Sequence, residues 1–371
     1  MEKVYDVILA RNPPRGRAFI NRIAGALPLF LLALGTTDTA KIPSISAAGA
    51  TPEITDFTPP ADAELLYYGR CRCISGVPIT PEGIPTPALI TRSALRLAGM
   101  PSIVAVGGLR VAPSIPFINL GGLPGMDIKT GCAVKDAAEV LEKATIAGDH
   151  LTRNSDYVVV GESAPGGTTT ALGVLVSMGY DAWGKVSSSM PSNPHKLKRS
   201  VVETALTSAC LREGSLRNDP LKAISCVGDS MMPAAAGLIL GAARNVPVIM
   251  AGGTQMAALL AIVNSLNPAL AGNLAIGTTR WLIEDGTSDL IGLVSQIADI
   301  PVLAADMNFS KSRFAGLQAY ERGVVKEGAG AGGSAIAAMA WSHGRITGDA
   351  LLHEMEAGYE SLVGLGKQGE R

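Results

Sequence analysis

The chain has 371 residues, enough for a large core in one α/β unit or in two domains. Hydrophobic residues make up 47% of it and charged residues only 17%, which excludes extended disorder. The formal net charge of -1 gives no basic footprint for nucleic acid, so we expect small-molecule partners.

Cysteine and histidine usage argues against a disulfide framework and against a metal centre. The five cysteines are odd in number and mostly scattered, and the Cys71 and Cys73 pair has C-x-C rather than C-x-x-C spacing. The four histidines show no metal-ligand spacing. We therefore expect reduced thiols in a cytoplasmic protein that needs no metal and no other cofactor.

The first strongly apolar stretch covers residues 24–34. It is too short for a membrane span of about 20 residues, contains Pro28, and continues directly into polar residues. It is interpreted as a buried strand or helix, and no membrane association is expected.

Farther along the chain, one local pattern recurs, in which an apolar run ends at glycine and small polar residues follow. Runs that are apolar throughout are typical of parallel strands covered on both faces. Helix-like segments follow most of them, notably from Pro233 and from Met256, which gives βαβ order. The runs end at Gly35, Gly107, Gly161, Gly252 and Gly277.

These patterns predict a three-layer α/β/α, Rossmann-like parallel sheet with a smaller helical part. We expect a single unit over 1–371, with the sheet at roughly 100–310 and a smaller subdomain from the N- and C-terminal segments. Proline-rich stretches at 52–60 and 77–87 break the N-terminal third into loops. The five glycine loops should meet at one edge of the sheet, although such glycines also serve simply as tight turns.

The segment Gly161–Thr170 resembles a phosphate-binding P-loop. Gly161 and Gly166 match the two glycines of G-x-x-x-x-G-K-[ST] and Thr168 its hydroxyl residue, but Gly167 replaces the lysine. Backbone N–H groups and the helix dipole can still hold a phosphate there. Without the lysine the loop is poorly suited to triphosphate chemistry.

A second glycine-rich segment begins at Glu327. Gly328, Gly330 and Gly333 spell G-x-G-x-x-G, but too few residues follow to complete a dinucleotide-binding half. Glu327 is either a functional acid or a residue favoured by the dipole of the next helix. The segments at Gly161 and Gly228 lack the last glycine of a nucleophile elbow, which disfavours a serine hydrolase.

Between these segments lies a serine-rich loop followed by basic residues at the start of an amphipathic helix. This loop supplies donors, and Lys198 can supply the cation that the P-loop-like segment lacks. The same pattern also fits a solvated basic face with a capping residue. The residues concerned are Ser187, Ser188, Ser189, Ser192, Asn193, Lys196, Lys198 and Arg199.

Five segments, GESAPGGTTTALGVL, VGDSMMPAAAGLILGAA, VPVIMAGGTQMAALLA, LAIGTT and VVKEGAGAGG, occur in this order. Together they resemble the archaeal and cyanobacterial relatives of nicotinate-nucleotide:dimethylbenzimidazole phosphoribosyltransferase, over most of the chain. Similarity to the bacterial enzymes starts near Asp136. The serine loop replaces their R-G-T-G turn, residues 307–323 are longer here, and their benzimidazole pocket is not recognisable.

The resemblance implies that Glu327 is the catalytic base, that Glu162 is its supporting carboxylate and that Lys198 binds phosphate. It also implies a homodimer that transfers 5-phosphoribose from nicotinate mononucleotide to an aromatic base, releasing nicotinate, in cobalamin lower-ligand synthesis. The alternatives are a non-catalytic nucleotide or corrinoid-precursor binding protein and another phosphoribosyl or small-molecule transferase. Further expected phosphate or ribose contacts are Gly161, Gly166, Gly167, Thr168, Thr169, Ser188, Gly228, Asp229, Gly252, Gly253, Gly277, Thr278, Gly328 and Gly330.

Overall fold

The computed structural model describes residues 1–49, 51, 53–76, 78–80, 82–190 and 192–366. Pro52 and Val77, which begin the two predicted proline-rich loop stretches, lie outside the described residues. The strands of the described part are β1 (Lys3–Val4), β2 (Val7–Arg11), β3 (Pro28–Gly35), β4 (Ser102–Gly108), β5 (Ile118–Asn119), β6 (Tyr157–Ser163), β7 (Val248–Ala251), β8 (Leu274–Thr279) and β9 (Val302–Ala305).

Helices separate most of these strands. They are α1 (Pro13–Ile23), α2 (Thr58–Tyr68), α3 (Ala88–Ala98), α4 (Ala137–Leu151), α5 (Gly167–Ser177), α6 (His195–Ser208), α7 (Pro220–Val227), α8 (Met231–Ala242), α9 (Gln255–Leu266), α10 (Arg280–Ile283), α11 (Leu290–Ile297), α12 (Ala315–Gln318), α13 (Ala331–Trp341) and α14 (Gly348–Gly366). Short 3-10 turns lie at Asp38–Lys41, Ile54–Phe57, Ile128–Thr130, Thr152–Asn154, Pro268–Asn273 and Ala319–Arg322.

All nine strands form one sheet in the order β1-β2-β9-β8-β7-β6-β3-β4-β5. The strands from β9 to β5 run parallel, whereas β1 and β2 add an antiparallel edge that the sequence pattern did not predict. From β3 the chain continues to β4 on one side and later returns to β6 on the other. The topological switch point therefore lies between β3 and β6, where open α/β sheets bind their ligands.

Helices cover both faces of the sheet, which confirms the predicted three-layer fold. In β3 every residue is buried, and successive side chains enter opposite cores. Leu31 and Ala33 pack with α4 to α9, whereas Leu32 and Leu34 pack with α1, α2, α3, α13 and α14. This two-sided burial explains why the strands are apolar throughout rather than alternating.

The sheet starts earlier in the chain than the expected range of about 100–310. The apolar stretch at 24–34 supplies β3, a central strand whose parallel neighbours are β4 and β6. The N- and C-terminal segments supply the helices of one layer, and their core packs directly on the sheet. In the described part of the chain, no helix has the length and apolarity needed to cross a membrane.

Candidate functional site

A cavity lies at the carboxyl end of β6, beside the topological switch point. It encloses about 950 Å³ of space between protein atoms, including its open mouth. This volume suits a small-molecule ligand. The predicted site residues that line it are Glu162, Gly166, Gly167, Thr168, Ser188, Gly253, Glu327 and Gly328.

The P-loop-like segment is shorter in the structure than the sequence motif predicts. β6 continues to Ser163 because its pairing with β3 extends that far, with Gly161 opposite Leu32. Gly161 is therefore a strand residue, and the loop is reduced to residues 164–166. A Cβ on Gly161 would lie 2.9 Å from the Cα of Gly330, so glycine here allows the chain before α13 to approach the strand.

The loop delivers the N-terminus of α5 to the cavity. Gly166 caps this helix with a φ of 78°, a left-handed conformation that favours glycine. The Gly167 amide donates to the Ala164 carbonyl at 3.0 Å, so it is not free for a ligand, contrary to the expectation. The positive end of the α5 dipole nevertheless faces the cavity and favours an anion there.

Lys198 lies behind this helix end and is fully buried. Its Nζ donates to Thr168 Oγ1 at 3.0 Å and to the Ser187 carbonyl, which leaves one of its three protons for another acceptor. Burial lowers the pKa of Lys198 to about 7, and the charge of Lys326 acts in the same direction. A nearby anion would favour the charged form of Lys198 and so raise this pKa again.

A second lysine, Lys326, lines the cavity and was not predicted. Its Nζ lies 3.3 Å from Asp285 Oδ2, and both side chains are largely buried. Asp285 also favours the charged form of Lys198, but more weakly than burial and Lys326 oppose it. Two lysines thus share one aspartate at this side of the cavity, which leaves a positive charge to be balanced.

The two predicted catalytic carboxyls both line the cavity, with Glu162 buried and Glu327 partly exposed. Burial raises the pKa of Glu162 to about 8, with Asp229 and Asp62 contributing as neighbouring negative charges. Burial also raises the pKa of Glu327 well above its ordinary value, despite a hydrogen bond from the backbone, and Glu162 adds to the effect. Gln255 Nε2 donates to Glu162 Oε1 at 3.2 Å and orients this carboxyl.

The main chain holds Glu327 in a constrained position before α13. Val325 and Ala329, which flank it, have φ values of 53° and 51°, in a region that non-glycine residues rarely adopt. The Gly332 amide donates to the two Glu327 carboxylate oxygens at 3.0 and 3.2 Å. Glu327 therefore contacts the N-terminus of α13, as expected of a residue favoured by the helix dipole, and it also lines the cavity.

Sequence reasoning missed several polar residues of the cavity wall. Asp62 on α2 accepts hydrogen bonds from Thr86 and Ser163, both at 2.8 Å, and all three line the cavity. Ser163 directly follows Glu162 in the sequence, so its position could have identified it as a candidate site residue. Asp62 gave no such signal, because an acidic residue in a largely apolar helix shows no partner until the chain has folded.

Other predicted contacts lie behind the cavity wall rather than on it. The Asp229 carboxylate accepts from the Met231 and Met232 amides at the start of α8, and its Thr170 bond ties α8 to α5. Thr278 packs against Gly332 of α13, because a Cβ atom on Gly332 would lie 2.0 Å from the carbonyl carbon of Thr278. The predicted residues outside the lining are Gly161, Thr169, Lys198, Gly228, Asp229, Gly252, Gly277, Thr278 and Gly330.

The five glycine loops do not all meet at the cavity. The loop after β4 packs against the start of α8 instead, where the Ser230 hydroxyl lies 2.9 Å from the Gly108 carbonyl oxygen and 3.0 Å from that of Thr36 and can donate to either. A Cβ on Gly107 would lie 2.1 Å from the Ser230 carbonyl oxygen. Gly107 therefore allows this loop to pack closely against the start of α8.

The cavity thus has two walls that belong to different layers. The basic wall consists of Gly166, Gly167, Thr168 and Ser188 with Lys198 behind them, on the side of α5 and α6. The acidic wall consists of Asp62, Ser163 and Glu327, on the side of α2 and α13. The arrangement can bind an anion at one wall and exchange a proton at the other.

Comparisons with solved structures place this cavity in a known fold. A structure titled CobT from Thermus thermophilus matches 92% of this chain and 92% of its own, with a TM-score of 0.57 at 16% identity. Nicotinate-nucleotide-dimethylbenzimidazole phosphoribosyltransferase from the same organism matches 89% of this chain and 91% of its own, with a TM-score of 0.53 at 16% identity.

Sequence comparisons cover nearly the whole chain. A UPF0284 protein of Sulfolobus acidocaldarius is 45% identical over 351 residues, 93% of this chain and 99% of the relative. One of Pyrococcus furiosus is 46% identical over 307 residues, 82% of this chain and 91% of the relative. The family DBI_PRT, described as phosphoribosyltransferase, matches residues 128–281. The predicted resemblance is confirmed, and the chain belongs to the UPF0284 family.

Proposed function

We propose that this protein transfers 5-phosphoribose from nicotinate mononucleotide to a nitrogen of an aromatic base and releases nicotinate, in cobalamin lower-ligand synthesis. The observation that carries the proposal is Lys198, a buried lysine beside the N-terminus of α5 with no ion-pair partner among the described residues. A phosphate monoester would balance its charge and accept its remaining proton.

The opposite charge of the ligand suits the carboxyl groups. Nicotinate mononucleotide carries a positive ring nitrogen as well as a negative ring carboxylate and phosphate, and the ring nitrogen favours the ionised form of whichever of Glu162 and Glu327 lies nearer to it. In the free protein, removal from water disfavours the ionised forms of both carboxyl groups. A zwitterionic nucleotide thus fits both walls of the cavity at once.

In the reaction, the bond between C1' and the nicotinate nitrogen breaks and its electron pair stays on nicotinate, which neutralises the pyridinium. An unprotonated nitrogen of the incoming base forms the new bond to C1', through an oxocarbenium-like state. Glu327 takes the proton from the other ring nitrogen of that base. Glu162 stabilises the positive charge that develops at the ribose.

The test is incubation of the full-length protein with nicotinate mononucleotide and a panel of benzimidazole, adenine and phenolic acceptors, with nicotinate release measured by chromatography. Release that depends on the acceptor is the expected result. Tight nucleotide binding without release for any acceptor would identify a non-catalytic binding protein instead. A crystal soak that places the phosphate away from Gly166 and Lys198 would contradict the anion site.

A further inference from the structure

The cavity contains a carboxylate for which phosphoribosyl transfer has no evident task. Asp62 is only 4% exposed, lies on α2 and lines the cavity. It makes no ion pair within the described residues. Burial raises the pKa of Asp62 to about 6, so the group is mostly ionised at pH 7.5. A buried carboxylate of this kind is costly unless hydrogen-bond donors surround it.

Two hydroxyl groups supply part of that stabilisation. Thr86 Oγ1 donates to Asp62 Oδ1, and Ser163 Oγ donates to Asp62 Oδ2, both at 2.8 Å. A hydroxyl has one proton to give, so Ser163 presents only lone pairs to a ligand once it donates to Asp62. The carboxylate oxygens keep acceptor capacity as well. This part of the cavity is therefore rich in acceptors.

The position of Asp62 relates it to the incoming base rather than to the phosphate. Asp62 and Glu327 both lie near Tyr320, since each charge raises the pKa of Tyr320, although burial is the larger cause. Gly328, next to Glu327, faces Pro87, since a Cβ there would lie 3.3 Å from the Pro87 Cγ. Ile84 and Pro87 line the same side and offer apolar surface to a flat ring.

From this geometry we infer that the acceptor is a fused aromatic base carrying an amino or N–H donor on its ring edge, and that Asp62 and Ser163 select it. The inference rests on the proposed function and names the chemical class of its acceptor. A base whose edge carries methyl groups would leave the buried Asp62 without the donor and would be disfavoured.

The test compares near-isosteric acceptors that differ in one donor. 5-Aminobenzimidazole is paired with 5-methylbenzimidazole and adenine with purine, and kcat/KM for nicotinate release is measured with each at pH 7.5. We expect the wild-type protein to prefer the amino member of each pair by about 10- to 100-fold, the usual range for a hydrogen bond to a charged group.

Asp62→Asn should reduce that preference at least about tenfold while both acceptors of a pair are still used. Ser163→Ala should reduce it as well, and it provides the same comparison if Asp62→Asn does not fold. Glu64→Gln is the matched control, because Glu64 is a buried carboxylate on the same helix that instead accepts from the Arg72, Cys73 and Ser114 amides. It should leave the preference unchanged.

Two results would overturn the inference while leaving the proposed function intact. One is nicotinate release with equal preference for amino and methyl acceptors in the wild-type protein. The other is an amino preference that survives both Asp62→Asn and Ser163→Ala. In contrast, no nicotinate release with any base would overturn the proposed function itself, and the acceptor class with it.

Discussion

The basic and acidic walls of the cavity are assembled in opposite ways. The basic wall comes from one stretch of chain, 166–198, in which a loop, a helix and a second helix follow in order. The acidic wall joins residues 62, 163 and 327, which lie far apart in sequence. A wall built from neighbouring segments leaves one motif in the sequence, whereas a wall built by tertiary packing combines separate signals, such as Glu327, with residues that show none, such as Asp62.

The walls also share a property, because burial suppresses the charge of both. It lowers the pKa of Lys198 to about 7, raises that of Asp62 to about 6 and raises that of Glu327 well above its ordinary value. The charge on each wall is therefore favoured when a ligand group of opposite charge binds beside it. Substitutions that remove one wall at a time can separate substrate binding from proton transfer.

The largest effect is expected from Glu327→Gln at the acidic wall. The amide oxygen can still accept from Gly332, so the contact with α13 is kept while proton removal is lost. Turnover should fall by about 10²- to 10⁴-fold with nicotinate mononucleotide binding nearly unchanged. Steady-state kinetics and calorimetric binding measure the two quantities. Unchanged turnover would leave Glu327 with only a helix-terminal role.

A smaller effect, on binding, is expected from Lys198→Met at the basic wall. Loss of a charged donor should weaken nicotinate mononucleotide binding by about 10- to 100-fold. Affinity for nicotinate riboside, which differs from the nucleotide only in lacking the phosphate, should not change. Lys196→Met is the control, since Lys196 lies on the same helix but is exposed. Equal losses for nucleotide and riboside would contradict a phosphate contact.

The smallest effect concerns stability and its dependence on pH. The pKa of Glu162 is about 8 in the folded protein against an ordinary value of 4.5. Between these pH values the folded state keeps a proton that the unfolded chain releases, so stability contributed by Glu162 is present below pH 4.5 and lost as pH rises through 8.

Glu162→Gln does not titrate and should escape this loss. We expect it to be more stable than the wild-type protein by about 1–3 kcal/mol at pH 8.5, with a smaller difference at pH 5. Urea denaturation at both values measures it, and comparison at equal pH cancels the titration of Lys198. A stability difference that is the same at both pH values would show that Glu162 does not titrate in this range.

Much of the fold was predictable because its signals are local. Apolar runs ending in glycine identified β3, β4, β6, β7 and β8, since each strand is buried on both faces. The antiparallel edge was not predictable, because β1 and β2 are short and owe their place to pairing with β9. Propensity says little about such pairings.

The site residues also divide into those that the sequence predicts and those that it does not. Gly166, Thr168 and Glu327 stand in recognisable segments, and the structure brings them to one cavity. Asp62 could not be predicted, because its partners Thr86 and Ser163 reach it only through packing of α2 on the sheet. Gly277 and Thr278 had the right motif but face α13, where glycines permit close contact between helix and strand.

The end of β6 has a consequence for how the protein can be altered. Glu162 and Ser163 are successive strand residues, so their side chains point to opposite faces of the sheet. A single-residue insertion or deletion inside β6 would exchange the two and place a hydroxyl where the carboxyl belongs. Loop lengths around the cavity can therefore vary during evolution or engineering, but the residue count of this strand cannot.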